Sequence, residues 1–106
     1  MVYGTGTATR FQQTAVTCVS TGWTRLEGAT ALANRIGTEV YNKAHSTTVK
    51  LYLTHSYNGA TPTVGVATCK AIELGSYHFE PNGPGMTLWG RTQAGPGRVI
   101  VTEYGS

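Results

Sequence analysis

The sequence predicts an all-β protein built as an antiparallel β-sandwich, jelly-roll-like or immunoglobulin-like, and three observations support this. Runs in which apolar and polar residues alternate recur along the chain, and alternation places the apolar side chains on one face of a strand. Turns rich in Gly, Pro and Asn separate these runs at intervals of about ten residues. No run has the length or period of a helix layer, so the apolar faces must cover one another.

Two runs near the middle of the chain, residues 35–42 and 46–56, carry the clearest strand pattern. One face of the first run holds Ile36, Thr38 and Val40. One face of the second run holds Val49, Leu51 and Leu53. Only the polar residues 43–45 separate the two runs, and a connection of that length predicts a hairpin in which the strands pair side by side.

Further strands are predicted over residues 12–19, 66–74, 77–79, 86–91 and 98–104. In the first of these, Val16 and Cys18 should face inward, and in the last, Val99 and Val101 should lie on the face opposite Ile100 and Tyr104. Residues 30–34 are the one place where a short helical turn is expected. Each strand is too short to be stable alone, so all of them should share one core.

The beginning of the chain is dominated by Gly and Thr and has few large apolar residues. We therefore expect residues 1–12 to form an extended N-terminal arm and residues 13–106 to form a single β-sandwich domain. Val2, Tyr3 and Phe11 are the candidates for anchoring this arm on a neighbouring chain. A frayed terminus is the alternative interpretation of the same stretch.

The low charge of the chain bears on its partners. Only 12% of the 106 residues are charged, about half the usual share. Such a composition, rich in Thr, Ser and Gly, is typical of a protein that works within an assembly. The eight basic residues are scattered singly, which argues against a nucleic-acid partner. No membrane-spanning run and no signal-peptide pattern occur, so we expect no membrane partner and synthesis in a cytoplasm.

Side chains able to carry chemistry are few and far apart in sequence. The five glutamates are expected on solvent-exposed faces or beside turns: Glu27, Glu39, Glu73, Glu80 and Glu103. The three histidines are expected as separate surface or rim residues: His45, His55 and His78. Cys18 and Cys69 favour free thiols, with a disulfide between them as the alternative. We therefore expect no catalytic, cofactor or metal site, and a deep pocket where histidine and glutamate side chains converge would contradict this.

Aromatic residues offer a different kind of site, because Tyr and Trp rings can stack on sugars. The candidates are Trp23, Tyr52, Tyr57, Tyr77, Trp89 and Tyr104. Tyr41 and Tyr52 are expected on neighbouring outer faces, and Trp89 on the face opposite Leu88. Such rings either bind a carbohydrate or fill contacts between layers and subunits. The composition favours the second interpretation.

The order of elements from Leu32 onward resembles a known family. Residues 35–42, 48–53, 69–74, 88–91 and 99–103 follow the pattern of a small β-sandwich domain of tailed-bacteriophage virion proteins. Such domains occur in head decoration or cement proteins, head fibres and tail appendages. This chain departs from the pattern at its Pro-Gly turn, which follows the aromatic residues 77–79 instead of preceding them.

The resemblance implies a structural role without a cofactor. We expect a capsid decoration or cement protein, trimeric, located on the virion surface, that binds the lattice of the major capsid protein and stabilises the head. The candidate contact residues are Val2, Tyr3, Arg10, Phe11, Trp23 and Arg25. The alternative is a receptor- or carbohydrate-binding β-sandwich module of a phage tail or head fibre.

Overall fold

The computed structural model describes residues 2–3, 6–7, 9–27, 32, 34–43, 50–83 and 85–105, the first two pairs by their backbone alone. The regular elements in this part of the chain are β-strands and one short 3₁₀ helix, Val66–Thr68. The strands are β1 (Val2–Tyr3), β2 (Gly6–Thr7), β3 (Arg10–Cys18), β4 (Thr24–Arg25), β5 (Arg35–Asn42), β6 (Leu51–Tyr57), β7 (Lys70–Ile72), β8 (Tyr77–Glu80), β9 (Met86–Thr92) and β10 (Gly97–Gly105).

Eight of these strands form two four-stranded antiparallel sheets, and β1 pairs with β2. Sheet I has the strand order β3-β10-β5-β8, and sheet II has the order β4-β9-β6-β7. The two sheets pack face to face around one cluster of buried side chains. The antiparallel β-sandwich predicted from the sequence is therefore confirmed.

Aliphatic side chains from both sheets line the core. They are Cys18, Leu26, Val40, Leu51, Leu53, Ile72, Leu88, Val99 and Val101, with Val16 packed against them. Removing such side chains from water is the main stabilising term, at roughly 25 cal/mol per Å² of apolar surface. In β10, Ile100 lies between two buried valines and is only half-buried, as alternation requires. The inward positions predicted for Val16 and Cys18 are confirmed, and in β10 the structure makes Val99 and Val101 the inward residues.

The predicted hairpin between residues 35–42 and 46–56 is wrong. Strand β5 pairs with β10 and β8 in sheet I, whereas β6 pairs with β9 and β7 in sheet II. The apolar faces of β5 and β6 meet across the sandwich, where Val40 and Leu51 belong to one core cluster. Placing the two strands in opposite sheets lets each cover the other, which a flat hairpin does not achieve.

The start of β5 also differs from the alternation predicted for it. The register between β5 and β10 shifts at Gly105, which pairs with Arg35 while Tyr104 pairs with Gly37. Ile36 is the extra residue of this β-bulge, and a bulge reverses the direction of the side chains beyond it. Arg35 therefore takes the buried position that the sequence pattern assigns to Ile36, which is only half-buried.

Smaller differences concern the lengths of elements. The strand predicted over residues 66–74 is reduced to Lys70–Ile72, because Val66–Thr68 is a 3₁₀ helix and the chain turns at Gly75 with φ +78°. Strand β3 begins at Arg10, so residues 10–12 of the predicted arm are paired with β10 in sheet I. The predicted helical turn over 30–34 lies mostly outside the described residues, as do Val49, His45 and most of the 43–45 connection.

Both cysteines are free thiols, as the sequence favoured, and their environments differ. Cys18 is fully buried in the core, and this burial raises its pKa to about 12. Cys69 is half-buried, and its thiol donates to the Gly65 carbonyl oxygen at 3.3 Å. The two sulfur atoms therefore differ in accessibility.

We expect a thiol reagent at pH 8 to label Cys69 promptly and Cys18 only as fast as the protein opens. The folded state keeps Cys18 protonated up to about pH 12, whereas the unfolded chain releases this proton near about pH 8.5. The free energy of unfolding contributed by the buried thiol is thus fully present below about pH 8.5 and is lost as the pH rises towards 12. Mass spectrometry of labelled peptides measures the two rates, and equal rates would contradict the burial of Cys18.

Candidate functional site

The outer face of sheet I is built from the positions that alternate with the core residues of its strands. In β10, Ile100 and Tyr104 point away from the core because Val99 and Val101 point into it. The register places Phe11 of β3 opposite Tyr104. Tyr104 and Ile100 therefore lie in the middle of this face, and Phe11 lies at its β3 edge.

The other half of the same face carries three more aromatic rings. Tyr41 of β5 lies opposite Ile100 on one side and opposite Tyr77 of β8 on the other. Phe79 of β8 lies opposite Glu39. We call the resulting surface the aromatic face, and it consists of Phe11, Tyr41, Tyr77, Phe79, Ile100 and Tyr104.

Contacts between neighbouring rings hold the aromatic face in place. The rings of Tyr41 and Tyr77 are stacked, with centroids 4.5 Å apart, and those of Phe79 and Tyr104 are tilted, with centroids 6.4 Å apart. The Phe79 ring lies over Gly37, where a Cβ atom would stand 2.2 Å from the ring's Cζ. Glycine at this position is what allows the ring to lie flat on the sheet.

Two of the six residues of the aromatic face are exposed and the other four are half-buried, although all six are of types usually found inside proteins. Phe11 keeps 70% of its surface accessible and Tyr77 keeps 66%. The charged residues at outward positions of the same strands include Glu39 and Arg98. Exposed apolar surface with few charges is typical of an interaction site.

The residues predicted as contacts from the sequence are divided between the two sheets. Phe11 lies on the aromatic face, and Arg10 is exposed at the start of the same strand. Val2 and Tyr3 form β1, and their side chains lie outside the described part of the structure. Trp23 and Arg25 belong to the β4 region of sheet II, so the structure does not bring them together with Phe11.

Internal hydrogen bonds occupy the polar groups of Trp23 and Arg25. The Trp23 indole N–H donates to the Val64 carbonyl oxygen at 3.2 Å and ties the loop after β6 to the β4 edge. The Arg25 guanidinium pairs with Glu27, with Nη2 2.5 Å from Oε1. Both residues therefore have an internal role in the fold.

The aromatic residues considered for carbohydrate binding are not arranged as the sequence suggested. Tyr41 and Tyr52 lie in opposite sheets, so their outer faces are not neighbours. Trp89 is on the outer side of sheet II but is only 8% exposed. Its indole N–H already donates to the Ser56 hydroxyl oxygen at 2.9 Å, so this ring does not offer a free face.

Two of the five glutamates are buried, which corrects the prediction of exposed carboxylates. Glu27 and Glu103 both lie against Arg35, whose Nη1 is 2.6 Å from Glu27 Oε2 and 2.7 Å from Glu103 Oε1. Arg35 Nη2 also donates to the carbonyl oxygens of Gly83 and Met86. The bulge in β5 makes these contacts possible, because it turns the Arg35 side chain inward. This cluster joins four distant segments and is a structural feature of the sandwich.

The histidines are also closer together than predicted. His55 and His78 line one cavity together with Glu80, so the expectation of separate rim histidines is wrong for this pair. The His78 ring lies 3.1 Å from the Glu80 carboxylate. Sequence alternation had placed these residues on different strands, and only the packing of sheet I on sheet II makes them neighbours.

This cavity brings histidine and glutamate side chains together, which bears on the expectation of no catalytic site, but it has few other features of one. Its thiol, that of Cys69, donates to the Gly65 carbonyl oxygen instead of to an imidazole, so it is not paired with a general base. Within the described residues, no group of three His, Cys, Asp or Glu side chains is arranged to hold a metal ion. The aromatic face therefore remains the stronger candidate for the main activity.

Comparisons of this chain with family models, curated proteins and solved structures find no match. Among the described residues, no helix is long and apolar enough to cross a membrane.

Proposed function

We propose that this protein is a non-catalytic attachment module that docks onto a larger protein assembly through its aromatic face. The observation that carries the proposal is the exposure of Phe11 and Tyr77, at 70% and 66%, on a sheet face with four more large apolar residues. Exposing this apolar surface to water is unfavourable in free energy. Burying it against an apolar surface of a partner removes that cost.

Two features of the aromatic face favour protein binding. Tyrosine and phenylalanine are enriched at the centres of protein interfaces, where charged residues are depleted. The stacked Tyr41 and Tyr77 rings are already ordered by each other, so binding restricts them little further. A partner with an apolar, weakly charged surface is the chemistry that fits.

The assembly that we propose is the head of a tailed bacteriophage, with the major capsid protein as the partner and the virion surface as the location. The sequence resemblance to virion β-sandwich domains supports this choice, and the low charge of the chain is typical of a protein that works within an assembly. Many copies on a lattice, as trimers, act by avidity, so each contact can be weak. In this role the protein reinforces the capsid as a decoration or cement protein and needs no reaction centre.

Replacing Phe11 or Tyr77 by serine should weaken binding to purified capsids by about tenfold for each residue. Tyr57→Ser is the matched control, because Tyr57 is also 66% exposed but lies on β6 in sheet II. Co-sedimentation with capsids measures occupancy, and circular dichroism checks that each variant is folded. Equal loss in all three variants, or none in Phe11→Ser and Tyr77→Ser, would remove the aromatic face from the mechanism.

The second candidate is a receptor- or carbohydrate-binding module, which the stacked Tyr41 and Tyr77 rings favour. Aromatic rings on a sheet face offer a platform for a sugar ring. A glycan array probed with the same variants separates the two candidates. Glycan binding that Tyr77→Ser abolishes, together with unchanged capsid occupancy, would favour this second function over the first.

A further inference from the structure

The cavity between the sheets lies where the sandwich is open at one edge. Strand β7 pairs with β6 only between Leu51 and Leu53, so the second half of β6 has no neighbour on that side within the described sheet. Strand β8 is the corresponding edge of sheet I. The cavity between these edges has a volume of about 350 Å³, at the small end of the range of about 300–1,000 Å³ for ligand pockets.

The lining of the cavity combines apolar and titratable side chains. Leu53 and Leu88 are almost fully buried, and the register pairs Leu53 with Lys70 and Leu88 with His55. The other titratable groups of the lining are those of Cys69, His78 and Glu80. A molecule with a short apolar body and one polar end would contact both kinds of side chain.

One cation of the lining lacks a partner of opposite charge. The Glu80 carboxylate lies 3.1 Å from the His78 ring. Lys70 is exposed and lies on the same face of β7 as the buried Ile72, and it makes no ion pair within the described residues. Lys50, by contrast, lies 3.6 Å from Glu73. The ammonium group of Lys70 is thus left to meet an anion at the cavity.

We propose that this cavity binds a small organic carboxylate with a short apolar chain. The carboxylate pairs with the Lys70 ammonium, with the His55 ring beside it, and the apolar chain lies against Leu53 and Leu88. An ammonium–carboxylate pair is a charge-assisted contact, and here it would stand beside apolar side chains. This site is independent of the aromatic face, which lies on the outer side of sheet I.

Titration of ¹⁵N-labelled protein with hexanoate, followed by NMR, tests the proposal. Hexanoate should shift amide signals of β6, β7 and β8 around the cavity, and the neutral hexanamide should bind about tenfold more weakly. Lys70→Gln should weaken hexanoate binding by about tenfold, whereas Lys50→Gln, the matched control outside the cavity, should leave it unchanged. The spectrum of each variant without ligand shows whether it is folded.

Three outcomes would overturn the proposal: no saturable shifts with hexanoate, shifts located away from the cavity, or equal binding by wild type and Lys70→Gln. The capsid-binding assay separates this site from the attachment function. Lys70→Gln should keep full capsid occupancy, and Tyr77→Ser should keep full hexanoate binding. Loss of both activities in either variant would indicate a shared site and contradict the separation of the two surfaces.

Discussion

Replacing Arg35 by methionine should lower the free energy of unfolding by about 3–5 kcal/mol. The side chain of Arg35 is 1% exposed, as are those of Glu27 and Glu103, and both carboxylates rely on its guanidinium group. Without the guanidinium, two buried negative charges lose their main partner, and the Gly83 carbonyl oxygen loses a donor at 2.7 Å. Urea denaturation measures the change.

The control for this prediction is Arg25→Met. Arg25 pairs with the same carboxylate of Glu27, but its side chain is 47% exposed, so water replaces the lost contact. We expect this variant to cost less than about 1 kcal/mol. Arg35→Lys should fall between the two, because lysine keeps the charge but cannot reach the same set of acceptors. Similar costs for Arg35→Met and Arg25→Met would show that burial of the cluster contributes little.

Replacing Gly90 by alanine should lower the free energy of unfolding by about 1–3 kcal/mol. Gly90 lies on β9 at the centre of the core, where a Cβ atom would stand 3.0 Å from Cys18 Sγ and 3.1 Å from two methyl groups of Leu26. These distances are shorter than normal van der Waals contacts, and a packed core has little room to yield. The added methyl group therefore requires Cys18 or Leu26 to move by a few tenths of an ångström.

A double-mutant cycle separates crowding from a general effect of alanine on the strand. Cys18→Ala removes the sulfur atom that stands closest, so the combined variant should lose less stability than the sum of the single changes. Gly22→Ala is the control, because a Cβ atom there meets nothing within 4 Å. Strict additivity of Gly90→Ala and Cys18→Ala would contradict the proposed contact.

Part of the aromatic face can be predicted from the sequence alone. Alternation in β10 already places Ile100 and Tyr104 opposite the core valines, and the strand 77–79 is recognisable from its aromatic residues. What alternation does not reveal is that these strands share one sheet with β3, so that Phe11 joins the same surface. The sequence therefore indicates Phe11 as a contact and Tyr41, Tyr77 and Tyr104 only as rings that could stack on sugars, and it does not single out Phe79.

The errors in the predicted fold have a common origin in long-range pairing. Residues 35–42 and 46–56 read as neighbours because they are close in the chain, but they lie in different sheets. The burial of Arg35 depends on a bulge against β10, and its partner Glu103 is 68 residues away. A buried charge is stable only when partners of opposite charge are buried beside it. The local sequence around Arg35 does not identify these partners.

Short-range residue patterns were thus sufficient for the all-β class, for most strands and for the inward positions of Val16 and Cys18, because the direction of a side chain in a strand follows from its position alone. The assembled sandwich decided the rest. Contacts between distant segments determine which strands pair, which charges are buried and which rings and histidines share a surface. These contacts form only when the two sheets pack against each other.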